Sequence, residues 1–382
     1  MVNREWPRSA IAVDAVGKSG LITPAFDQFI LHELVGRAAR AGSLPVMSPT
    51  ASAACSIPCN LCGARQVSEV SLRDRDGNYL RTVICQCCGL VWTDPRPTEE
   101  EVKKFYAHEY RLQYKGAWQP KFKHVYRGSK VSLDRFRWLR RFLRPADAVL
   151  DVGAGGGELV YLLRGLGYDA RGLEPTEGYA HYAREELRLP IEVGFFKELE
   201  LGGKAFDVVT LFHVLEHLED PAGTVARLRD GLKPGGLLII EVPNVEAKCQ
   251  APGHRFHCAH LYNFNPATLP LLARRAGYEV LETRASRDGG NVGIVTKRLD
   301  HAPSCVGEIP GNCERVNSVI RRHTTLSHYL TAYPYTRPFQ RLAQLVDEAT
   351  GIRLFKTRAA ILDAMVVAAK KQFPERGAAG AS

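Results

Sequence analysis

A chain of 382 residues, 45% hydrophobic and 24% charged, has room for two or three globular domains and the composition of an ordinary folded protein. The balance of 51 Lys and Arg against 41 acids leaves a formal charge of +10, which suits an anionic partner and equally a solvated basic surface. No run of 18 apolar residues occurs, which excludes a spanning helix, and the first twenty residues lack the apolar core of an export signal, so a cytoplasmic protein is expected.

Residues 1–54 read as an N-terminal extension, with a helix over 24–41 and then a Ser-, Pro- and Ala-rich linker. Six cysteines fall between Cys55 and Cys88. Two pairs stand out, Cys59-x2-Cys62 and Cys85-x2-Cys88, each followed by glycine ("CNLCG", "CQCCG"). In a reducing compartment a tight cluster argues for metal over disulfides, and four thiolates in two knuckles suit a closed tetrahedral zinc site. The intervening "EVSLRDRDGNYLRTVIC" reads as strand, Asp-Gly-Asn turn, strand, so residues 55–92 are expected to form a zinc ribbon. Cys55 and Cys87 lie outside the pattern, with Cys87 an alternative ligand.

Residues 93–145 read as a helical linker. Thr98 and Glu101 have capping-box spacing. Between 121 and 144 there are nine Lys or Arg and one Asp, with Phe136, Leu139 and Leu143 at helical spacing. That amphipathic helix either packs on the next domain with its charges outward or offers an anion-facing patch beside a substrate.

Residues 146–299 alternate strand and helix signals. Strands are predicted at 147–152, 168–174, 191–196, 206–212, 236–242, 278–285 and 291–297. Helical stretches separate the first six, and a short turn through "RDGG" joins the last two. The pattern implies a doubly wound α/β sheet ending in an antiparallel hairpin. Residues 300–382 return to amphipathic helices, suited to packing or to self-association into a homo-oligomer, and the last eight residues read as loose.

The turn after the first strand, "VLDVGAGGGELVYLL", has the pattern Asp151-x-Gly153-x-Gly155-x-Gly157. The glycines allow close backbone approach to a ligand at a helix start. Their spacing does not fit the dinucleotide fingerprint G-x-G-x-x-G. It resembles motif I of the class I S-adenosylmethionine (SAM) methyltransferases. "RGLEP", "FDVVTLFHVLEHLEDP" and "LKPGGLLIIEVPN" resemble the later motifs of that family, in the same order. The resemblance implies a Rossmann-like seven-stranded sheet and SAM as cofactor. It implies Asp151 near the methionine part of SAM, and Phe195 or Phe196 flanking the adenine. Glu174 is placed to accept both ribose hydroxyls.

The string His213-x-x-Glu216-His217 also matches the inverted zinc proteases. Those need both histidines on one continuous helix, whereas "FDVVTLF" runs strand-like into His213, so a methyltransferase wall is expected instead. There His213 contacts the methionine moiety, and Glu216 and His217 face the acceptor. Ubiquinone O-methyltransferases and small-RNA 2′-O-methyltransferases resemble this segment, with Glu-x-x-Glu-His holding a divalent ion. His213 in place of the first Glu removes a charge and suits zinc or iron better than magnesium. The alternative is that Glu216 and His217 only brace a helix start. In "GHRFHCAHLYNF" the histidines 254, 257 and 260 read as a loop over the substrate. His260 is the preferred general base, with packing against Tyr262 or Phe264 as its alternative.

Together these features predict direct displacement of the SAM methyl group onto a hydroxyl, or a carbon, of a sugar or other polar small metabolite. The basic stretch 121–144 is the motive for a phosphorylated or nucleotide-linked acceptor. RNA methylation and a non-catalytic SAM-binding module that recruits a partner are the alternatives.

Overall fold

The computed structural model describes residues 57–96, 118–196, 205–300 and 307–374. The helix expected at 24–41, the linker after it, Cys55, the Thr98 cap and the loose last eight residues lie outside the described residues.

Seven strands form the main sheet. In chain order they are β4 (Ala148–Val152), β5 (Asp169–Glu174), β6 (Ile191–Val193), β7 (Phe206–Phe212), β8 (Leu232–Pro243), β10 (Tyr278–Ala285) and β11 (Asn291–Arg298). Their order across the sheet is β10-β11-β8-β7-β4-β5-β6, with β11 antiparallel to both neighbours and the strands from β8 to β6 parallel. The central parallel strands are near-continuous apolar runs because both faces are covered. Edge strand β10 alternates instead, with Glu279 exposed and Tyr278 buried, because one face meets solvent.

Alternate residues feed two cores. Val149, Val208, Ile239 and Val295 join α1 (Phe122–Leu139), α2 (Glu158–Gly165) and α9 (Arg358–Gln372) on one side. Leu150, Val209, Ile240 and Ile294 join α4 (Pro221–Gly231) and α5 (Thr268–Arg275) on the other. Between β5 and β6 the chain makes only α3 (Glu177–His181) and a wider turn to Glu186. The helix expected between the third and fourth strands of this sheet falls largely on residues outside the description.

The cysteine segment forms a hairpin of β1 (Val67–Arg73) and β2 (Tyr79–Cys85), then β3 (Val91–Thr93). The turn is the expected one. Asp74 Oδ1 accepts from the amides of Asp76 (2.9 Å) and Asn78 (2.8 Å), and Gly77 takes φ 86°. The sheet has a fourth strand that the sequence did not reveal, β9 (Tyr262–Asn263), supplied by the chain between β8 and α5. Trp92 pairs with Tyr262 and Val91 with Asn263. Leu61, Val83, Leu90 and Trp92 belong to the same core as Leu150 and Val209. A boundary drawn at residue 92 therefore cuts through shared packing.

The C-terminal segment forms α6 (Asn312–Arg322), α7 (Thr325–Tyr329), α8 (Tyr333–Gly351) and α9. Helix α9 is part of the main core, with Ile361, Leu362 and Met365 fully buried. Each such side chain contributes about 1.5–3 kcal/mol. Helix α8 leaves Tyr335, Phe339, Leu342 and Val346 exposed. No described helix is long and apolar enough to cross a membrane.

Candidate active site

The glycine turn hangs between the carboxyl ends of β4 and β5, where open α/β sheets bind ligands. Gly153, Gly155 and Gly157 take φ of 75°, 58° and 80°. At Gly153 a side chain is also excluded by space, since a Cβ would run into Val214. Glu174, at the end of β5, is buried and accepts from the amides of Gly155 (2.8 Å) and Thr176 (3.1 Å). Those bonds fix one carboxylate at the turn.

Asp151 is buried and accepts from Thr210 Oγ1 at 2.6 Å. Burial pushes its carboxyl up to about 6, against the pull of Thr210 and of the Arg135 guanidinium. Arg135 comes from α1 and lies 4.1 Å above the ring of Phe212. Burial lowers its pKa, opposed by Asp151 and Glu241. Nothing in the sequence pattern singles out this residue beyond its place in a basic helix. In that helix Arg127, Lys130, Arg137 and Arg141 pair with Glu348, Asp347, Asp134 and Glu282. Four of the nine basic residues of the stretch are thus tied to acids of the same chain, which weakens the motive for an anion-facing patch.

Phe196 lies in the core under α4, with Arg227 over its ring at 5.2 Å, and its half-buried neighbour Phe195 lies nearer the surface.

Strand β7 ends at Phe212, and His213 turns the chain at φ 58°, held by its amide on the Glu241 carbonyl at 2.9 Å. Only a single 3-10 turn, Leu215–His217, follows before α4 begins at Pro221. The two histidines therefore do not share a helix, as the protease alternative requires. Nor do Glu216 and His217 brace the helix start. Asp220 is the cap, its Oδ1 accepting from Gly223 at 2.9 Å.

Glu216 is buried, and no hydrogen bond reaches either of its oxygens. His213 Nδ1 is 3.4 Å and His217 Nε2 3.7 Å from its Oε1. Burial alone would raise this carboxyl, but the charges of His217 and His213 outweigh it and hold it at about 2. His217 Nδ1 lies 2.7 Å from the Ala259 carbonyl, to which it donates, and its Nε2 is turned toward Glu216. His260 lies in the loop predicted, its ring 5.0 Å from that of His217. Burial, then the neighbouring His217, lowers its pKa well below the ordinary value. One donor atom each from Glu216, His217 and His260 falls within 4.8 Å of the others. His257 is buried beside His260, and His254 is exposed.

The sequence pattern of a methyltransferase-domain family matches residues 126–283. A ubiquinone biosynthesis O-methyltransferase from Thiobacillus denitrificans is 33% identical over 169 residues, which span 39% of this chain and 72% of that protein. The chain belongs to the class I SAM-dependent methyltransferases. A second ubiquinone biosynthesis O-methyltransferase, from Methylococcus capsulatus, is 31% identical over 39% of this chain and 63% of its own length. A SAM-dependent methyltransferase of known structure from Mesorhizobium loti aligns with all of its length and 44% of this chain, at 17% identity and a TM-score of 0.38.

SAM is the cofactor of this family, and the methyltransferase brings Asp151, the three glycines, Glu174 and Arg135 to one end of its sheet. Beyond them stand residues that the motifs did not flag. Glu241, at the end of β8, pairs with Arg284 at 2.9 Å, and Arg284 lies over the Trp138 ring at 3.4 Å.

The four cysteines expected to bind metal also come together. Cys59 Sγ is 3.5 Å from Cys88 Sγ, Cys62 Sγ is 3.4 Å from Cys85 Sγ, and all four sulfurs lie within 4.8 Å of one another. Zinc–sulfur bonds of about 2.3 Å imply sulfur separations of roughly 3.8 Å in a tetrahedron, so the donor set fits a closed zinc site. Gly63 and Gly89, at φ 79° and 75°, let each knuckle fold back. Cys87 lies outside this group.

Proposed function

We propose that this methyltransferase moves the SAM methyl group by direct displacement to a hydroxyl of a polar small metabolite, such as a sugar. The observation that carries the acceptor-side reading is the buried carboxylate of Glu216, which no hydrogen bond reaches and which faces His213 and His217, with His260 alongside. A fully buried carboxylate without hydrogen bonds is costly unless a ligand or cation completes it. The O-methyltransferase relatives support oxygen over carbon as the acceptor atom. The internal pairing of four residues of the basic stretch weakens the support for a phosphorylated or nucleotide-linked acceptor, and for the RNA alternative in the same way.

In this reading Glu174 takes the ribose hydroxyls, and ionised Asp151 takes the amino group of the methionine moiety. Arg135 takes its carboxylate, His213 lines the same end, and Phe195 is the nearer of the two rings to the adenine. These groups hold the methyl in line with the nucleophile, and SAM is already activated by its sulfonium. Glu216, His217 and His260 form the acceptor wall. Their donors suit two uses, holding a divalent cation or accepting the acceptor proton at His260. The buried Glu216 oxygens, which no hydrogen bond reaches, favour the cation, which would lower the pKa of the acceptor hydroxyl. Cys59, Cys62, Cys85 and Cys88 hold a separate structural zinc. The exposed face of α8 serves self-association, and a cytoplasmic location stays the expectation.

Incubating the pure protein with methyl-labelled SAM and a panel of hydroxylated metabolites, read by mass spectrometry, tests the activity. Label on no small molecule and on RNA alone would overturn the acceptor class. Metal analysis tests the wall. Two equivalents are expected in the wild type, and one in Glu216→Gln and in His260→Ala. A single equivalent throughout would return His260 to the role of base.

A further inference from the structure

The acceptor wall has little regular structure of its own. His217 sits in one 3-10 turn, and His260 ends a loop that runs from β8 to β9. Strand β8 holds the chain just before that turn, at His213, and the cysteine ribbon grips the far side of both segments.

The second knuckle acts through β3. Thr93 donates its amide to the Leu261 carbonyl at 3.0 Å and its hydroxyl to the His260 carbonyl at 3.4 Å. The first knuckle acts through Asn60, between two core residues of the ribbon. Its Nδ2 donates to Asp220 Oδ1 at 2.7 Å, and its Oδ1 accepts from the Ala222 amide at 2.8 Å. That clasp closes the start of α4, three residues beyond His217. Across the gap, His217 reaches the Ala259 carbonyl. The glycine turn and Glu174 instead hang on β4 and β5.

We propose that the metal-held ribbon is the positioning element of the acceptor wall, setting the separation of His217 and His260 while leaving the SAM end to the main sheet. The inference rests on the zinc and acceptor-wall readings above. Without a cation the four thiols no longer tie the two knuckles to each other, leaving strand pairing and core packing alone to hold them, so the grips at Asn60 and Thr93 slacken together.

Hydrogen exchange read by mass spectrometry tests this on the full chain, comparing zinc-loaded protein with chelator-stripped protein whose metal content is measured in parallel. Stripping is expected to speed exchange by about tenfold or more in 57–93, 215–222 and 258–264, and to leave 149–163 and SAM affinity within about threefold. Acceleration confined to 57–93, or spread evenly into 149–163, would overturn the inference while leaving the zinc reading intact. A protein purified without metal at the four thiols would overturn both. Asn60→Ala provides a check with zinc retained. Exchange at 215–222 should rise several-fold, and no change there would count against the proposal.

Discussion

Asp151 is ordinary in sequence and unusual in place. Because burial holds its carboxyl near 6 in the empty protein, a ligand amino group must find it ionised to gain from it. SAM affinity is therefore expected to be flat above about pH 7 and to fall by up to tenfold per unit below about pH 6. Calorimetric titrations between pH 5 and 8 measure this, and Asp151→Asn should flatten the profile and weaken binding at pH 8 by tenfold or more. The sign for stability is opposite. A carboxyl whose folded pKa is raised stabilises the fold only while protonated, so its contribution is lost as pH rises from the ordinary range of an unfolded Asp through about 6. Gly153 is the sharpest steric test. Alanine there meets both the left-handed backbone and Val214, and Gly153→Ala should cost roughly 2–4 kcal/mol in chemical denaturation and abolish SAM binding. Asp151, Glu174 and the three glycines were legible because a turn motif concentrates its chemistry in consecutive residues. Arg135 was not. Arg135 stands sixteen residues before Asp151 in sequence, and its helix brings it to that carboxyl only after packing.

Among the elements, periodicity carried the strands well. The segments at 206–212 and 278–285 fall on β7 and β10 as expected, because one is flanked by polar turns and the other alternates cleanly. The expected strand at 191–196 shrinks to Ile191–Val193, because glycine follows at 194. Strand β9 was illegible for a plain reason. Two residues have no period, and their strand character exists only because β3 offers an open edge. The helical character of the C-terminal segment was legible, but it read as an extension, whereas α9 is core. It packs against both α1 and α2, with Tyr161 donating to Asp363 at 2.5 Å as a further tie. Met365→Ala should accordingly cost about 2–5 kcal/mol in urea unfolding, as a core truncation does. A change below about 0.5 kcal/mol would make α9 an appendage after all.

For the whole molecule, Tyr335, Phe339, Leu342 and Val346 form an exposed apolar row along one face of α8, the kind of surface a second copy can cover. Light scattering is expected to give twice the chain mass at micromolar concentration, and Phe339→Glu to return it to one chain with the fold intact by circular dichroism. A single-chain mass for the wild type would remove the self-association reading.

The position of β11 has a consequence for how the molecule is born. The last strand of the sheet to leave the ribosome is not laid on its rim. It enters between β8 and β10, antiparallel to both. Until residue 298 has emerged, β10 has nothing to lie against, and the β8 flank stands as an unpaired apolar ladder, the kind of edge on which nascent chains stick to one another. A gene trimmed to end at residue 283 would make that transient state permanent. Such a product should collect in inclusion bodies with every residue of the glycine turn still present.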